Sequence, residues 1–563
     1  MKKPAGRTLA PSFSYKSSKA NYTGSWRFIK PLYQNKAPPC NLGCPNTNDI
    51  QGFIQAINAD NLKEAFAILT RTTPFPAICG RVCYHPCEGH CNRVQYDDAV
   101  NICALERVVG DYALEQKLSL VPDHSAKQKN TLKKIAIIGS GPAGLNCAYH
   151  LRRLGHTVTI FESRSKAGGM LRHGIPEFRL PKYILDGEIQ RLLALGIEIK
   201  YNFPISKKEL ENLSQANHAV FMAIGAYRPK DVALPGSNLN GVSSGLNFLL
   251  AHAYESEASR FNVKGKTVAV VGGGNTAVDT ARTALRLGGM PTIYYRRTMH
   301  EMPAHPDEIR EAMEEGINIE FLVNPIECRG KNGNLSSVIF QRMQLGDVDA
   351  SGRQKAFPID GKNFEISADF LLTAFGEDAE MGDLAVPLEN KWGRFIKKEH
   401  FKSSMKNVFL GGDAVQDTQG TVVHAMGEGL KAAKIIDLFL NGKALPTAEH
   451  LGAGVGYDDL NKAYFQKSPR HKTPERSHEE RKSDFFPVIN ALPKSSYTQE
   501  AHRCFSCGVC NYCRNCELFC PDKSIKFEES GLKKSLSIDY DHCKGCGICV
   551  YECPRCAMDM AKE

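Results

Sequence analysis

Two stretches of the chain share one order of elements: an apolar strand, a glycine-rich turn, a helix and a second strand. In the first stretch, apolar residues predict a buried strand at 134–138, a helix at 145–154 and another strand at 157–161. The same order recurs between residues 267 and 295. A strand, a helix and a second strand in this order form a βαβ unit, so the sequence predicts an α/β fold with two such units.

The turn of the first unit has the form G-x-G-x-x-G. Gly139 permits the tight turn, Gly141 lets the backbone approach a pyrophosphate, and Gly144 allows the helix to pack closely. The second strand ends at Glu162, whose carboxylate suits ribose hydroxyls. The unit is therefore predicted to bind a dinucleotide, through Gly139, Ser140, Gly141, Pro142, Ala143, Gly144 and Glu162.

The second unit has the same turn, with alanine in place of the third glycine, which the motif allows. Its predicted residues are Gly272, Gly273, Gly274, Asn275, Thr276 and Ala277. The strand that follows ends in Arg296 and Arg297 instead of an acid. Arginine at this place accommodates a 2′-phosphate, so NADPH is favoured over NADH. The alternative is that both arginines are surface charges.

Eight cysteines near the end of the chain form two runs of the form C-x2-C-x2-C-x3-C-P. In bacterial ferredoxins with this spacing, the fourth cysteine of each run ligates the cluster of the other run. The predicted sets for two [4Fe-4S] clusters are Cys510, Cys513, Cys516 and Cys553, and Cys543, Cys546, Cys549 and Cys520. Zinc is the competing interpretation, but zinc sites combine two cysteine pairs, whereas each run here has three evenly spaced thiols.

Length and composition indicate a large globular protein. The 563 residues correspond to about four domains, and no apolar run approaches the roughly 20 residues of a membrane span. No secretory signal is recognisable, so the 20 cysteines favour a reducing cytoplasm over disulfides.

The net charge of +10 is unevenly placed, because no acidic residue precedes Asp49. This basic arm is interpreted as a solvated extension, a targeting peptide, a nucleic-acid tail or a segment that docks on an acidic partner. The sequence contains no nucleic-acid-binding motif that would support a nucleic-acid tail, so no nucleic-acid partner is expected. The basic residues of the arm are Lys2, Lys3, Arg7, Lys16, Lys19, Arg27, Lys30 and Lys36.

Further segments resemble reductases with two dinucleotide-binding domains. The stretch VFLGGDA at 408–414 is similar to the segment that closes the flavin site in that family, which implies FAD in the first unit. Disulfide reductases share this architecture, but they carry a C-x4-C pair on the helix after the first turn, where this chain has only Cys147. The resemblance implies flavin contacts at Asp413, Thr421, Val422 and Ala425, and crossings between the units at Ala223, Ile224, Gly225 and at Ala374, Phe375, Gly376.

The first 440 residues resemble the small subunit of glutamate synthase and its relatives. The motifs are FPAICGRVCYHPCEGHC at 75–91, FES at 161–163, GGMLRHGIPEFRL at 168–180, GGGNTAVD at 272–279, and YRR with EMPA at 295–304. The resemblance implies FAD, a pyridine nucleotide, an N-terminal helical iron-sulfur domain and a larger catalytic partner. It adds the site residues Ser163, Gly169, Met170, Leu171, Arg172 and Gly412 for FAD, and Asp279 for NAD(P).

The N-terminal cysteines depart from the family pattern. Members of the family carry a C-x2-C pair upstream of the element that contains Cys40 and Cys44, and this chain has no cysteine there. Residues 481–508 resemble that missing segment. The hypothesis is that one cluster takes Cys40, Cys91, Cys504 and Cys507, and a second takes Cys44, Cys83, Cys87 and Glu106. The alternative is a single N-terminal cluster, with Cys504 and Cys507 as bystanders.

Other cysteines and histidines receive no chemistry. Cys103 is one helical turn from Glu106 and is an alternative ligand. The others are expected to be structural: Cys79, Cys147, Cys328, Cys556, His85, His173, His305 and His424.

The expected fold is α/β: two Rossmann-like domains of the glutathione-reductase type, an N-terminal helical iron-sulfur domain and a C-terminal ferredoxin-like α+β domain. The expected boundaries are 1–125 for the helical domain with its basic arm, 126–246 and 376–446 for FAD, 247–375 for NAD(P)H, 447–499 for a linker or arm, and 500–563 for the ferredoxin domain.

The expected activity is transfer of hydride from NAD(P)H to FAD and of single electrons through [4Fe-4S] clusters to a ferredoxin or a partner subunit, or the reverse. The expected assembly is a hetero-oligomeric complex, with a dimer of this chain as one option. The alternatives are an authentic glutamate synthase small subunit, and an electron-wire or assembly subunit that does not turn over.

Overall fold

The computed structural model describes residues 22–120, 133–230, 234–253, 259–349, 352–446, 454–530 and 533–563. Three sequence expectations lie wholly or partly outside the described residues: most of the basic arm, the boundary near residue 125, and the first seven residues of the expected linker.

The N-terminal unit is helical. Asp49 and Asn101 cap two of its helices by accepting hydrogen bonds from backbone N–H groups of the first turn. A Cβ at Gly80 would collide with the backbone of Arg107, so glycine is what lets the fourth and sixth helices touch. The elements are β1 (Ile29–Tyr33), α1 (Pro39–Leu42), α2 (Ile50–Asn58), α3 (Leu62–Leu69), α4 (Pro76–Val82), α5 (Pro86–Gly89) and α6 (Ile102–Glu115).

The first dinucleotide unit is built on a five-stranded parallel sheet with the order β18-β5-β2-β3-β4. The chain leaves this unit after β5 and returns to it with β18 and the long helix α14, which packs on α7. Its elements in the first passage are β2 (Lys134–Ile138), α7 (Pro142–Arg153), β3 (Thr157–Phe161), α8 (Met170–His173), α9 (Lys182–Leu193), β4 (Glu198–Lys200), α10 (Lys207–Ala216) and β5 (Ala219–Met222).

The second dinucleotide unit has a parallel sheet of order β10-β9-β8-β14-β7, extended by an antiparallel sheet of order β11-β12-β13. Its first strand, β7, precedes residue 247 and pairs with β14. A short ribbon, β6 (Arg228–Pro229) with β15 (Glu377–Asp378), joins the two units. The other elements are β7 (Val242–Ser244), α11 (Gly245–Ala253), β8 (Thr267–Val271), α12 (Asn275–Arg286), β9 (Met290–Tyr295), α13 (Pro306–Glu314), β10 (Asn318–Phe321), β11 (Val323–Lys331), β12 (Asn334–Val348), β13 (Gln354–Ser367) and β14 (Phe370–Thr373).

The rest of the chain completes the first unit and then runs back over the molecule. The first unit is completed by β16 (Asn390–Lys391), β17 (Arg394–Phe395), β18 (Val408–Leu410) and α14 (Val422–Leu440). The segment after residue 453 is mostly irregular and carries α15 (His478–Ser483) and α16 (Lys494–His502). The C-terminal unit contains α17 (Asn515–Leu518), β19 (Ile525–Ser530), β20 (Lys533–Ile538), α18 (Ile548–Tyr551) and β21 (Met558–Lys562).

The C-terminal unit is tied to the start of the described chain. Strand β21 pairs antiparallel with β1, from Ile29 opposite Lys562 to Tyr33 opposite Met558. The Arg27 side chain donates a hydrogen bond to the carbonyl oxygen of Cys543. The two ends of the described chain thus form one small sheet. Together with the two parallel sheets, this arrangement confirms the predicted fold class.

Candidate functional site

A large cleft, with a cavity volume of about 480 Å³ and partly open to solvent, runs along the carboxyl ends of β2, β3 and β5. Most of the residues predicted for FAD line it: Gly139, Ser140, Gly141, Pro142, Ala143, Glu162, Ser163, Gly169, Met170, Leu171, Ala223, Ile224, Gly225, Gly412, Asp413, Thr421, Val422 and Ala425. Ligands of open α/β sheets bind at this edge.

The glycines of the first turn occupy the positions that a dinucleotide requires. Gly139 has a φ of +99°, and a Cβ there would collide with the Ala223 carbonyl. A Cβ at Gly144 would collide with the Gly139 carbonyl, so the helix sits directly on the strand. A Cβ at Gly141 would meet nothing within 4 Å, and this residue lines the cleft. The first glycine-rich turn thus fits the phosphates of FAD at the N-terminus of α7.

Glu162 is buried at the end of β3 and links that strand to the glycine-rich turn. Its carboxylate accepts hydrogen bonds from the Ser140 N–H at 3.0 Å, from the Ser140 hydroxyl at 2.5 Å and from the Arg164 N–H at 2.9 Å. Glu162 also lines the cleft, as the predicted contact with a ribose requires.

Arg172 does not line the cleft. Its guanidinium donates a hydrogen bond to the Ala167 carbonyl at 2.5 Å and pairs with Asp186. Its role in this structure is to hold the loop after β3 against α9.

The segment after β18 closes the other side of the cleft. Thr421 caps α14, and Asp413 accepts a hydrogen bond from the Thr418 hydroxyl at 3.0 Å. Burial raises the pKa of the Asp413 carboxyl. The N-terminus of α14 therefore faces the cleft beside a carboxyl group, at the place where the sequence predicts flavin contacts.

The second glycine-rich turn reaches the same cleft, through Asn275, Thr276 and Asp279 of α12. Gly272 has a φ of +148°, and a Cβ there would collide with the Ala374 carbonyl of the crossing segment. The other residues predicted for the nucleotide lie outside the lining of this cleft: Gly272, Gly273, Gly274, Ala277, Arg296, Arg297, Ala374, Phe375 and Gly376.

The two arginines after β9 differ. Arg297 is buried and forms an ion pair with Asp349 at 2.9 Å, and it donates a hydrogen bond to the Gln354 carbonyl at 2.6 Å. Arg296 is exposed at the end of the strand. Of the two, only Arg296 is available to a phosphate.

The structure brings together the first N-terminal set of thiols. Burial raises the pKa of Cys40 well above its usual value, and the neighbouring thiols of Cys504, Cys91 and Cys507 raise it further. Residues separated by more than 400 positions are therefore neighbours in space. Thiols buried together are unfavourable as thiolates unless a cationic centre compensates their charge.

The second N-terminal set is also assembled. Burial raises the pKa of Cys44 to about 12, and the Glu106 carboxylate and the Cys83 thiol raise it too. The pKa of Cys87 is raised in the same way by burial, with Cys44 and Cys83 nearby. Glu106 has one buried oxygen, Oε1, without a hydrogen-bond partner among the described residues. Such an oxygen fits a metal ligand.

The C-terminal thiols form the two predicted sets. Burial raises the pKa of Cys516 to about 12, and the thiols of Cys510, Cys513 and Cys553 contribute. Burial raises the pKa of Cys549 to about 12 as well, with contributions from Cys520, Cys543 and Cys546. Each set lines its own small cavity. Within the described residues, no three His, Cys, Asp or Glu side chains form a group that could hold a single metal ion.

The cysteines expected to be structural are mostly buried. Cys79, Cys147 and Cys328 lie in hydrophobic cores. Cys556 accepts a hydrogen bond from the Lys36 ammonium group at 3.0 Å. Cys103 lies beside His85, whose Nε2 atom is 3.1 Å from Glu106 Oε2.

Sequence reasoning missed Tyr84 and Arg179, which line the cleft. Arg179 forms ion pairs with Asp279 at 2.8 Å and with Glu308 at 2.7 Å. Burial raises the pKa of Asp279 to about 6, against the effect of this arginine. Tyr84 lies inside the motif at 75–91 and Arg179 inside the motif at 168–180, so the family motifs could have indicated both residues.

None of the described helices has the length and apolar character needed to cross a membrane.

Comparisons with known proteins agree with this geometry. Residues 133–429 match the pyridine nucleotide-disulphide oxidoreductase family, residues 32–118 match dihydropyrimidine dehydrogenase domain II with its 4Fe-4S cluster, and residues 509–557 match the 4Fe-4S dicluster domain.

Three relatives illustrate the similarity. The NADP(+)-dependent formate dehydrogenase subunit beta of Moorella thermoacetica is 35% identical over 534 residues, which cover 89% of this chain and 74% of that protein. The NADPH-Fe(3+) oxidoreductase subunit beta of Geobacter sulfurreducens is 36% identical over 512 residues, 83% of this chain and 75% of that protein. The glutamate synthase [NADPH] small chain of Escherichia coli is 36% identical over 417 residues, 70% of this chain and 87% of that protein.

The resemblance inferred from the sequence motifs is thereby confirmed. The chain belongs to the pyridine nucleotide-disulphide oxidoreductase family, in a form that carries 4Fe-4S domains on both sides of its dinucleotide-binding units.

Proposed function

We propose that this protein is the electron-transferring subunit of a larger oxidoreductase: it binds FAD and NADPH in one cleft and connects that cleft through four [4Fe-4S] clusters to a partner protein. When bound, FAD accepts a hydride from the nucleotide and releases its two electrons one at a time. The single observation that carries the proposal is the lining of the cleft. Both glycine-rich units and the segment around Cys83 meet there.

The contacts of the second N-terminal set support its place next to the flavin. Val82 and Tyr84, on either side of Cys83, line the cleft. A Cβ at Gly427 of α14 would collide with the Pro45 carbonyl, directly after Cys44. The Cys79 and Met426 sulfurs are 3.5 Å apart. The helix that points its N-terminus into the cleft thus packs on Cys79 and on the backbone next to Cys44.

The order proposed for the next electron transfers follows from cysteines that are neighbours in the sequence. Cys40 and Cys44 are four residues apart, as are Cys87 and Cys91, so each pair places one residue in each N-terminal set. Cys507 of the first N-terminal set lies three residues before Cys510 of the C-terminal unit. We therefore propose a relay from the cleft to the Cys44 set, to the Cys40 set, to the Cys510 set and to the Cys543 set.

The end of this relay faces outward. Cys513 and Cys546, one from each C-terminal set, are exposed. A partner subunit or a ferredoxin would exchange electrons there, in either direction. The relatives named above are subunits of a formate dehydrogenase, an Fe(3+) oxidoreductase and a glutamate synthase, which supports a partner subunit that holds the substrate site. A reducing cytoplasm would keep these thiols available for clusters.

The test is anaerobic isolation followed by metal analysis and stopped-flow spectroscopy. The proposal requires one FAD, about sixteen irons per chain, and bleaching of the flavin by NADPH followed by reduction of the clusters. About twelve irons would contradict the pairing of Cys40 and Cys91 with Cys504 and Cys507. A protein that NADPH does not reduce would contradict the activity, and a protein that also lacks flavin would favour the electron-wire alternative.

The glutamate synthase alternative has its own test. The match to that small chain covers 70% of this chain. Copurification with a large subunit that forms glutamate from glutamine would establish it; copurification with a subunit of another activity would exclude it.

A further inference from the structure

Residues 474–490 form a loop in the segment that joins α14 to the C-terminal unit. The loop closes on itself, because the Arg476 N–H donates to the Val488 carbonyl at 2.9 Å and the Asn490 N–H donates to the Pro474 carbonyl at 2.8 Å. Helix α15 forms its tip. We name residues 474–490 the clamp loop.

The tip of the clamp loop contacts the second dinucleotide unit through charges. The Arg481 side chain is 1% exposed and donates a hydrogen bond to Glu314 Oε2, on α13, at 3.1 Å. It also forms an ion pair with Glu475 at 3.3 Å. Glu475 in turn pairs with Arg310 of α13 at 2.8 Å. A buried guanidinium needs such partners, so this contact is sensitive to loss of either side.

The base of the clamp loop contacts the other two units. The Val488 N–H donates to the Phe178 carbonyl of the first dinucleotide unit at 3.1 Å. The Arg107 guanidinium of the N-terminal unit donates to the Ile489 carbonyl at 2.9 Å. One loop therefore contacts three different units of the protein.

The direct connections between the two dinucleotide units are a short ribbon and the buried ion pairs of Arg179 with Asp279 and Glu308, near the start of α12 and of α13. The ribbon of β6 and β15 contains only two residue pairs, with one more hydrogen bond from the Lys230 N–H to the Gly376 carbonyl at 3.0 Å. The Arg179 contact with α13 lies near the start of that helix, whereas the clamp loop holds the end of the helix through Glu314. Hydride transfer requires the two reacting rings to be aligned, and a misplacement of about 1 Å costs about a hundredfold in rate.

We infer that Arg481 is a positioning residue, which through Glu314 holds the second dinucleotide unit at the angle that aligns the nucleotide with the flavin. This inference rests on the proposed function. Arg481 does not line the cleft, so it acts on the angle between the units and not on binding of the nucleotide.

The test compares Arg481→Ala, Arg481→Lys and the matched control Arg476→Ala. Arg476 forms its bidentate pair with Asp484 inside the clamp loop, at 2.7 and 2.8 Å, so its loss removes an arginine–carboxylate pair without touching α13. All three are made as holoproteins with their iron and flavin contents measured. Stopped-flow flavin reduction gives the limiting rate and the Kd for NADPH, and hydrogen exchange of the oxidised, nucleotide-free protein gives the protection of the ribbon.

For Arg481→Ala we expect a limiting rate of flavin reduction at least about tenfold lower, an unchanged Kd for NADPH, and faster exchange at the Lys230 amide. Arg481→Lys keeps the charge and recovers most of the rate, and Arg476→Ala behaves as the natural protein. If Arg481→Ala loses iron, Glu314→Gln decides, because it weakens the same contact from the other side without altering the clamp loop.

A natural limiting rate together with natural ribbon exchange in these variants would overturn the inference, and so would a loss confined to the Kd. If the unaltered protein is not reduced by NADPH, the proposed function fails instead. The exchange of the ribbon then still reports whether Arg481 holds the two units together.

Discussion

His85 Nε2 lies 3.1 Å from Glu106 Oε2, and both side chains are buried. The other ring nitrogen of His85 lies 2.7 Å from the Cys83 carbonyl, which can only accept, so Nδ1 carries a proton and donates. The Glu106 carboxylate also only accepts, so Nε2 carries a proton as well, and the ring is an imidazolium that donates to Oε2. Oε1 has no hydrogen-bond partner among the described residues. This is how a protein orients a metal ligand.

Replacing Glu106 with alanine is expected to remove one cluster. The Cys44 set then has three thiols and no fourth ligand, so the iron content falls by about four of about sixteen per chain. NADPH still bleaches the flavin, but electrons no longer reach the remaining clusters. Iron analysis and stopped-flow spectra measure both effects.

The control for this prediction is Cys103→Ser, which should keep its iron. If that variant loses about four irons while Glu106→Ala keeps them, Cys103 is the ligand and the assignment of Glu106 is wrong.

Cys504→Ser is expected to damage an N-terminal cluster, although the residue lies near the C-terminus. Its thiol shares a buried site with Cys40 and Cys91, so the loss is again about four irons, with the two C-terminal clusters retained. Electron paramagnetic resonance of the reduced protein counts the remaining clusters. The matched control is Cys556→Ser. The Cys556 thiol accepts a hydrogen bond from Lys36, so this variant should leave the iron content unchanged.

Arg296→Ser is expected to lower kcat/KM for NADPH by about tenfold to a hundredfold and to leave kcat/KM for NADH nearly unchanged. The reason is that a charged hydrogen bond to a phosphate contributes about 1.5–3 kcal/mol. Arg297→Ser should not shift the preference, because Asp349 already occupies its guanidinium. Steady-state kinetics with both nucleotides distinguish the two; a shift in preference from Arg297→Ser alone would reverse the assignment.

Arg282→Ala is expected to destabilise the second dinucleotide unit by about 3–5 kcal/mol, because it leaves buried carboxylates without their partner. The Arg282 side chain is fully buried and pairs with Glu308, Glu311 and Glu315. Thermal or denaturant unfolding of the holoprotein measures the change.

The comparison for this prediction is Arg329→Ala, whose pairs with Glu327 and Glu365 lie on the exposed antiparallel sheet. Because solvent screens these exposed pairs, their loss should change the free energy of unfolding far less than the loss of Arg282 does. Equal losses for Arg282→Ala and Arg329→Ala would contradict the role of burial.

Much of the fold follows from short-range pattern. Residues 134–138 and 157–161 are strands with the predicted bounds, because short apolar runs on either side of a helix are typical of buried strands in a parallel sheet. The two cysteine runs likewise predict their sets, because three thiols of each set are close together in the sequence and the known ferredoxin pattern supplies the fourth from the other run.

The assembly of the sites depends on tertiary structure. The neighbours of Cys40 at positions 504 and 507, the burial of Arg297 on Asp349 and the contact of Arg481 with α13 all join distant parts of the chain. A resemblance suggested the first, and nothing in the local sequence indicated the other two. Spacing along a chain determines which residues one turn or loop can gather, whereas contacts between units depend on how whole buried surfaces pack.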